Sequence, residues 1–220
     1  MKNVLISIKP YWVFLIIAKT MGWNINKEKT IEVRKTFPQD NEWNKIGKIY
    51  CTKDKKSFNF IPKEYQPFMK KFLGKVIGEF VCDRIDIIRK RGIDDNFDYC
   101  YLSLDEWGND DIEPEITAVK NSCVLKDDLN DYGKNSRMLY GWHISNLKIY
   151  DEPKELEAFT IFCDANKKRC ANCKHYLFDN DDLNGYQRWC DVCHRKPLTR
   201  PPQSWCYVAL YDYCNKGELK

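Results

Sequence analysis

The chain of 220 residues is long enough for one domain with a small appendage, and it can bury a sizeable core. Its formal charge of +4 comes from 36 basic and 32 acidic residues that are well mixed, which excludes a polybasic DNA-binding protein. The eleven cysteines, with no secretory signal ahead of them, predict a reducing, cytoplasmic location with thiols or metal ligands. The apolar run from Tyr11 to Ala18 is shorter than the roughly twenty residues that span a bilayer, so no membrane partner is expected.

The first elements are predicted as a strand, a helix and a second strand. Residues 2–9 and 29–35 alternate between apolar and polar side chains and are rich in β-branched residues, as strands are. Residues 11–19 form the predicted helix, which begins at Pro10 because the first helical turn does not need that N–H group.

The alternation predicts which side chains share a face of each strand. Glu32 and Arg34 fall on one face of strand 29–35, and Ser7 and Lys9 fall on one face of strand 2–9. Isoleucine and valine occupy the opposite faces. The polar faces are either the solvated side of an ordinary sheet or the lining of a cleft.

A basic and aromatic segment from 53 to 71 follows the third predicted strand, residues 45–52. One interpretation is a solvated loop region, since runs of charge usually serve solubility. The other is a contact with nucleic acid, with lysines at phosphates and a ring near the bases. The candidate residues for that contact are Lys53, Lys55, Lys56, Lys63, Phe58 and Tyr65.

Three further strands are predicted at 75–88, 139–150 and 204–211. Gly78 in the first of them indicates a bulge or bend. A helical insert is expected over about 90–135, with an acidic stretch at 94–132 and a helix over 125–132, and a short helix is expected at 154–159.

Two Cys-x2-Cys knuckles separated by sixteen residues predict a zinc site between residues 166 and 200. The ligands are Cys170, Cys173, Cys190 and Cys193. Four thiolates complete a tetrahedral ion and leave no open position, so the Zn²⁺ is predicted to be structural. His175 or His194 replacing one cysteine, an iron–sulfur cluster and a disulfide pair are weaker alternatives. A ribbon of this size cannot bury enough surface to fold alone, so the metal would hold it together.

Four segments together resemble the ASCH-domain proteins of the PUA-like superfamily. They are VLISIKPYWVFLII…KTIEVRK at the start, GKVIGEFVCDRIDII, YGWHISNLKIYDEPKELEAF and RPPQSWCYVALYD, and they look like a phage- and Firmicute-associated branch of that family. The resemblance implies an α+β fold, a PUA-like (ASCH) small β-barrel with flanking helices, over residues 1–165. The zinc-ribbon-like element at 166–200 would then be inserted ahead of a final barrel strand and tail at 201–220.

The resemblance also implies a pocket beside the first two strands that binds RNA or a nucleotide-like ligand, for which a modified base is one candidate. Its candidate ligand-binding residues are Ser7, Lys9, Lys29, Glu32, Arg34, Trp142 and His143. The lysines and Arg34 would meet phosphate, Glu32 would accept from a base or ribose, and Trp142 would stack on a base. Lys29 joins this set only from a bulge or a strand end, because strict alternation turns it away from Glu32.

Two other function classes stay open. An enzyme could use the same pocket, with Lys29, Glu32 and His143 as candidate catalytic residues for RNA cleavage or amidohydrolysis. The family includes an amidohydrolase that deacetylates N4-acetylcytidine; its catalytic lysine would correspond to Lys29 and its catalytic threonine to Glu32, so this chain departs at the nucleophile. The second class is a phage-encoded protein-interaction factor that binds a protein partner through the acidic insert and the zinc element.

Overall fold

The structure, a computed structural model, describes residues 3–37, 45–93, 96–103, 120–134, 136–161 and 197–210. The strands are β1 (Asn3–Ile8), β2 (Ile31–Arg34), β3 (Lys45–Cys51), β4 (Val76–Cys82), β5 (Ile85–Ile93), β6 (Asn96–Ser103), β7 (Met138–His143), β8 (Ser145–Lys154), β9 (Phe159–Ile161) and β10 (Trp205–Leu210). The helices are α1 (Pro10–Ile17), α2 (Lys55–Phe58), α3 (Gln66–Lys70) and α4 (Lys126–Gly133), with a 3-10 turn at Leu156–Ala158. The fold is α+β, as predicted.

The strands form two sheets. One has six strands in the order β8-β4-β3-β1-β10-β9, in which β1 and β3 are parallel and the other pairs antiparallel. The other has four antiparallel strands in the order β2-β7-β5-β6. Within the described residues no pairing closes a single barrel, so the structure does not bear out the expected closed barrel.

Two of the predicted strands each divide between the sheets. Residues 75–88 form β4 in the six-stranded sheet and β5 in the four-stranded one, with Asp83 and Arg84 between them. Residues 139–150 divide in the same way into β7 and β8, with Ile144 between them. Strands commonly change sheets at such bends, and an apolar pattern that continues through the bend does not reveal it. Register shifts on both sides of Gly78 agree with the bulge predicted there.

The insert expected over 90–135 is only partly helical. Its first part is an antiparallel hairpin of β5 and β6, and α4 matches the helix expected over 125–132. The helix expected at 154–159 is instead the end of β8, the 3-10 turn and the start of β9. Cross-strand pairing, which no local pattern encodes, therefore overrides the helical expectation in both places.

Strand β1 lies in the middle of the six-stranded sheet and is buried on both faces. Val4, Ile6 and Ile8 pack with α1 and with Ile49, Phe80 and Trp142 in the larger cluster of buried residues, which we call the main core. Leu5 packs in a second core with Val208 and its neighbours. Burial on both sides explains why Leu5, between Val4 and Ile6, is apolar where the predicted alternation would place a polar residue. In α1, Pro10 occupies the first turn as predicted.

The final strand belongs to the main sheet. β10 pairs with β1 and with β9, and the N–H of Leu198 donates to the carbonyl of Phe159 at 2.8 Å. The described chain therefore leaves the sheet after β9 and re-enters it beside β9. Across the described ranges, no helix is both long and apolar enough to span a membrane.

Candidate functional site

The charged side chains of Lys29, Glu32 and Arg34 contact one another beside β2. The Nζ of Lys29 lies 3.3 Å from Oε2 of Glu32, and Nη2 of Arg34 lies 2.9 Å from Oε1 of the same carboxylate. All three residues are more than nine-tenths buried. We call this group the Lys29–Glu32–Arg34 cluster. Because charges removed from water must be paired, the central carboxylate is what allows both cations to lie here.

Lys29 joins the cluster from the end of the strand, since β2 begins two residues later. Besides Glu32, its ammonium donates to the carbonyls of Ile31 at 2.7 Å and Ser122 at 2.6 Å. An ammonium has three N–H donors, so these three acceptors use its full capacity. Burial lowers the pKa of Lys29, and the contact with Glu32 opposes that shift. Lys29 thus holds the carboxylate in place and has no donor left for a ligand.

Arg34 connects the cluster to the other sheet. Its Nη2 also donates to the carbonyl oxygen of Ser7 in β1 at 2.5 Å. Its Nε is buried and has no hydrogen-bond partner among the described residues. The indole Nε1 of Trp142 is likewise buried without a partner in the described part of the chain. Buried donors are rarely left unpaired, so both groups call for an acceptor.

The register explains why these groups share one face. Glu32 lies opposite Trp142, and Arg34 lies opposite Tyr140, in the antiparallel pairing of β2 with β7. Directly opposed residues point to the same side of a sheet. Trp142 is 1% exposed and packs in the main core, with its ring centroid 5.9 Å from that of Trp205. It therefore lines the cluster from within the core and does not present an open stacking face.

Two predicted members of the site lie elsewhere. The side chain of Lys9 is 63% exposed and lies 3.8 Å from the carboxylate of Asp54. His143 pairs with Ile31 in the sheet register, which places it on the face opposite Glu32. Consecutive residues of a strand alternate faces, so Trp142 and His143 could not both join one cluster. The expected set of Lys29, Glu32 and His143 is therefore divided between two sides of the four-stranded sheet.

His143 has a separate partner that the sequence analysis missed. Its Nε2 lies 2.7 Å from Oδ2 of Asp86, and Nε of Arg84 donates to Oδ1 of the same carboxylate at 2.7 Å. Burial raises the pKa of Asp86, but the hydrogen bonds from His143 and Arg84 outweigh it and leave the pKa below its usual value. Asp86 lies opposite Gly141, and His143 lies two residues further along β7, so their contact is a diagonal one across the strand pair. Only the register of β5 on β7 reveals this pair.

The remaining predicted residues fall into two groups. The Oγ of Ser7 donates to the carbonyl of Pro202 at 2.7 Å, so that hydroxyl anchors the segment before β10. The zinc ligands Cys170, Cys173, Cys190 and Cys193 lie outside the described residues, and the described part of the chain holds no group of metal ligands. Burial raises the pKa of both Cys51 and Cys82 to about 12, so these buried thiols stay protonated and unreactive near neutral pH.

Ser122 is the contact that no sequence signal could have found. It contributes a backbone carbonyl, which any residue type would supply, from a position 93 residues beyond Lys29. A main-chain acceptor carries no residue preference, so spacing and composition cannot reveal it.

Comparisons with known proteins return structural neighbours only. No protein-family profile matches the chain, and no curated protein does. The chain is similar to the crystal structure of ASCH from Zymomonas mobilis, with 14% identity, a TM-score of 0.45, and coverage of 94% of this chain and 88% of that one. Two point mutants of that protein match at 12% and 11% identity, with TM-scores of 0.46 and 0.47. The two matches cover 97% and 96% of this chain, and 94% and 92% of the respective mutant chains. The neighbours are thus ASCH-domain structures, at a similarity too low to carry an argument about activity.

Proposed function

We propose that this chain is an ASCH/PUA-like protein that binds a nucleotide or a short RNA segment at the Lys29–Glu32–Arg34 cluster. The observation that carries the proposal is the pair of unpartnered buried donors beside a fixed carboxylate. Arg34 Nε and Trp142 Nε1 each need an acceptor, and Glu32 lies between them in the cross-strand arrangement.

A nucleobase edge matches this arrangement chemically. Bases such as cytosine present an amine donor beside acceptors, and carboxylates accept from that amine. A carboxylate has about four lone-pair sites, and Lys29 and Arg34 are the two cations that contact Glu32. Glu32 can therefore accept from a base while Arg34 and Trp142 donate to it. A desolvated site of this kind gives hydrogen bonds that discriminate between ligands.

Calorimetric titration with cytidine, uridine, adenosine and N4-acetylcytidine monophosphates tests the proposal. We expect the bases with an exocyclic amine to bind more tightly than uridine, because that amine donates to Glu32 while uridine has only its N3–H between two acceptors. Glu32→Gln should reduce that preference, since an amide can both donate and accept. The ratio of affinities is the measure, because a partial loss of folded protein would lower all affinities alike. If no nucleotide binds the wild-type chain at low salt, the cluster is structural and the proposal fails.

The enzyme alternative receives less support from the geometry. A lysine that acts as a base or nucleophile needs a free lone pair, whereas Lys29 donates to three acceptors. His143 lies on the other face of the sheet. Analysis of the nucleotide products by mass after incubation tests this alternative directly.

We also propose that the chain binds a structural zinc ion, lies in the cytoplasm and has a protein partner. The zinc site rests on the spacing of Cys170, Cys173, Cys190 and Cys193. The adjacent exit and re-entry of the chain at β9 and β10 support an inserted element between them. The acidic insert at 94–132 would be the surface for a protein partner if nucleotide binding fails.

A further inference from the structure

The positive charge of this chain is concentrated in one segment. Residues 53–75 carry seven lysines and two acidic residues, a formal charge of +5, whereas the whole chain carries +4. Lys75 pairs with Glu155 at 2.9 Å. The other six lysines are exposed, and no described residue forms an ion pair with them; they are Lys53, Lys55, Lys56, Lys63, Lys70 and Lys71. A basic segment without internal acidic partners attracts an anionic partner.

The same segment exposes one aromatic ring. Phe60 is 73% exposed, the highest value among the large apolar side chains that the structure leaves in solvent. Its ring meets Tyr11 edge-on with centroids 6.1 Å apart. Phe58 and Tyr65, which the sequence suggested as base contacts, are instead partly buried against the main core. The structure thus replaces both candidates with Phe60.

A hydrogen-bonded frame holds this ring and the nearby lysines. The carboxylate of Asp54 caps α2 by accepting from the N–H of Ser57 at 3.0 Å. The Oγ of Ser57 accepts from the N–H of Tyr11 at 3.0 Å, which ties α2 to α1. Gln66 donates to the carbonyl of Ile61 at 2.8 Å and closes the following turn. A fixed frame lowers the entropy lost when a ligand binds.

We propose that Lys55, Lys56, Phe60 and Lys63 form a binding surface for single-stranded nucleic acid, which we call the Phe60 surface. Lys55 and Lys56 lie in α2, Phe60 lies two residues after the end of that helix, and Lys63 lies in the turn that follows. The lysines contact phosphates, and the exposed ring stacks on one base. Lysine-lined tracks with stacking rings are how proteins hold single strands with little regard to sequence.

The observations favour a nucleic acid over a lipid surface. Membrane-docking segments bury several apolar side chains together. The other large apolar residues exposed in the described part of the chain lie far along the sequence, at Leu125, Tyr132 and Met138. One ring among lysines suits stacking on a base better than insertion into a bilayer.

This surface shares no residue with the Lys29–Glu32–Arg34 cluster, so the two proposals can fail independently. Fluorescence anisotropy of labelled 12-nucleotide oligo-U and oligo-dT at several salt concentrations tests the surface. The first variant is Lys55→Ala/Lys56→Ala/Lys63→Ala, and its control is Lys120→Ala/Lys148→Ala/Lys154→Ala, which removes the same charge from exposed lysines elsewhere. Losing three phosphate contacts should reduce the slope of log K against log salt by about 2, at about 0.7 per contact. The control triple should change it much less.

The second variant isolates the ring. Phe60→Ala should weaken oligonucleotide binding about 5- to 150-fold, the effect of losing one stacked base, while Phe60→Trp should keep the affinity within a few-fold. Melting by circular dichroism confirms that each variant is folded. Mononucleotide binding should be unchanged in all of them.

Three results would overturn the proposal. They are no oligonucleotide binding by the wild-type chain at 50 mM salt, an equal loss in the control triple, or full binding by Phe60→Ala. Vesicles of phosphatidylserine and phosphatidylcholine complete the test. Capture of the wild-type chain by these vesicles that depends on Phe60, without oligonucleotide binding, would assign the surface to anionic membranes instead.

Discussion

The guanidinium of Arg34 donates a 2.5 Å hydrogen bond to the carbonyl oxygen of Ser7. The two residues lie in β2 and β1, which belong to different sheets. Arg34 also holds Glu32, and through it Lys29, so one buried set of charges connects the four-stranded sheet to the centre of the six-stranded one. The contact uses the main-chain oxygen of Ser7, whereas its hydroxyl donates to Pro202 and Lys9 lies near Asp54, so the polar face predicted for β1 does not join the cluster.

Removing the carboxylate at the centre of the cluster should destabilise the protein strongly. We expect Glu32→Ala to lower the free energy of unfolding by about 3–5 kcal/mol, because it leaves two buried cations without their anion. The matched control is Glu28→Ala. Glu28 pairs with Lys19 at 3.3 Å, but the two side chains are 41% and 77% exposed, so its loss should cost under about 1 kcal/mol. Urea unfolding followed by tryptophan fluorescence measures both, and equal effects would contradict the buried-cluster interpretation.

The Asp86–His143 pair should make the free energy of unfolding depend on pH in the acidic range. The pKa of Asp86 is lower in the folded chain than its usual value, so the ionised carboxylate stabilises the fold. That contribution is complete above the unfolded pKa of about 3.9 and is lost as pH falls through the folded pKa.

Asp86→Asn should therefore be less stable than wild type by about 1–3 kcal/mol at pH 7, and the difference should narrow below about pH 4. Asp83→Asn, three residues before and exposed, is the control and should follow the wild-type curve. Unfolding curves in urea at pH 7, 5, 4 and 3 provide the comparison. A gap between Asp86→Asn and wild type that stays constant across this range would contradict the role assigned to the carboxylate.

The four-cysteine element should bind one zinc ion per chain. Elemental analysis of protein purified without chelator should find this stoichiometry, and Cys170→Ser or Cys190→Ser should lower it because a tetrahedral site loses a ligand. Cys123→Ser is a suitable control, since that thiol donates to the carbonyl of Glu28 and a hydroxyl can do the same. Substoichiometric zinc that is the same in all four proteins would rule out the site.

Gly78 should not accept a side chain. A Cβ placed there would lie 2.4 Å from the carbonyl oxygen of Lys148 and 3.1 Å from the Cα of Ile149, both of which belong to the backbone of β8. Backbone cannot rotate away as a side chain can, so Gly78→Ala should cost about 1–3 kcal/mol. Thermal unfolding monitored by circular dichroism should show a lower midpoint, and an unchanged midpoint would mean that β8 is not held against β4 at this position.

Local patterns predicted part of the candidate site. Alternation in β2 placed Glu32 and Arg34 on the face opposite Ile31 and Val33, and the structure confirms that division. The prediction succeeded because the two-residue repeat is a property of one strand's backbone and needs no knowledge of its neighbours. The start of the helix at Pro10 was also predictable from local sequence, because it depends only on the missing N–H of that residue.

The tertiary structure decided which faces meet. β2 pairs with β7 rather than with β1, and this register brings Trp142 to Glu32 while turning His143 toward Asp86. The sequence alone identified Trp142 and His143 as candidates but could not separate them, because strand partners are chosen by packing between residues distant in the chain. The position of Lys29 also depends on a residue distant in the chain, because its ammonium donates to the carbonyl of Ser122. That carbonyl is a main-chain group, which no side-chain pattern encodes.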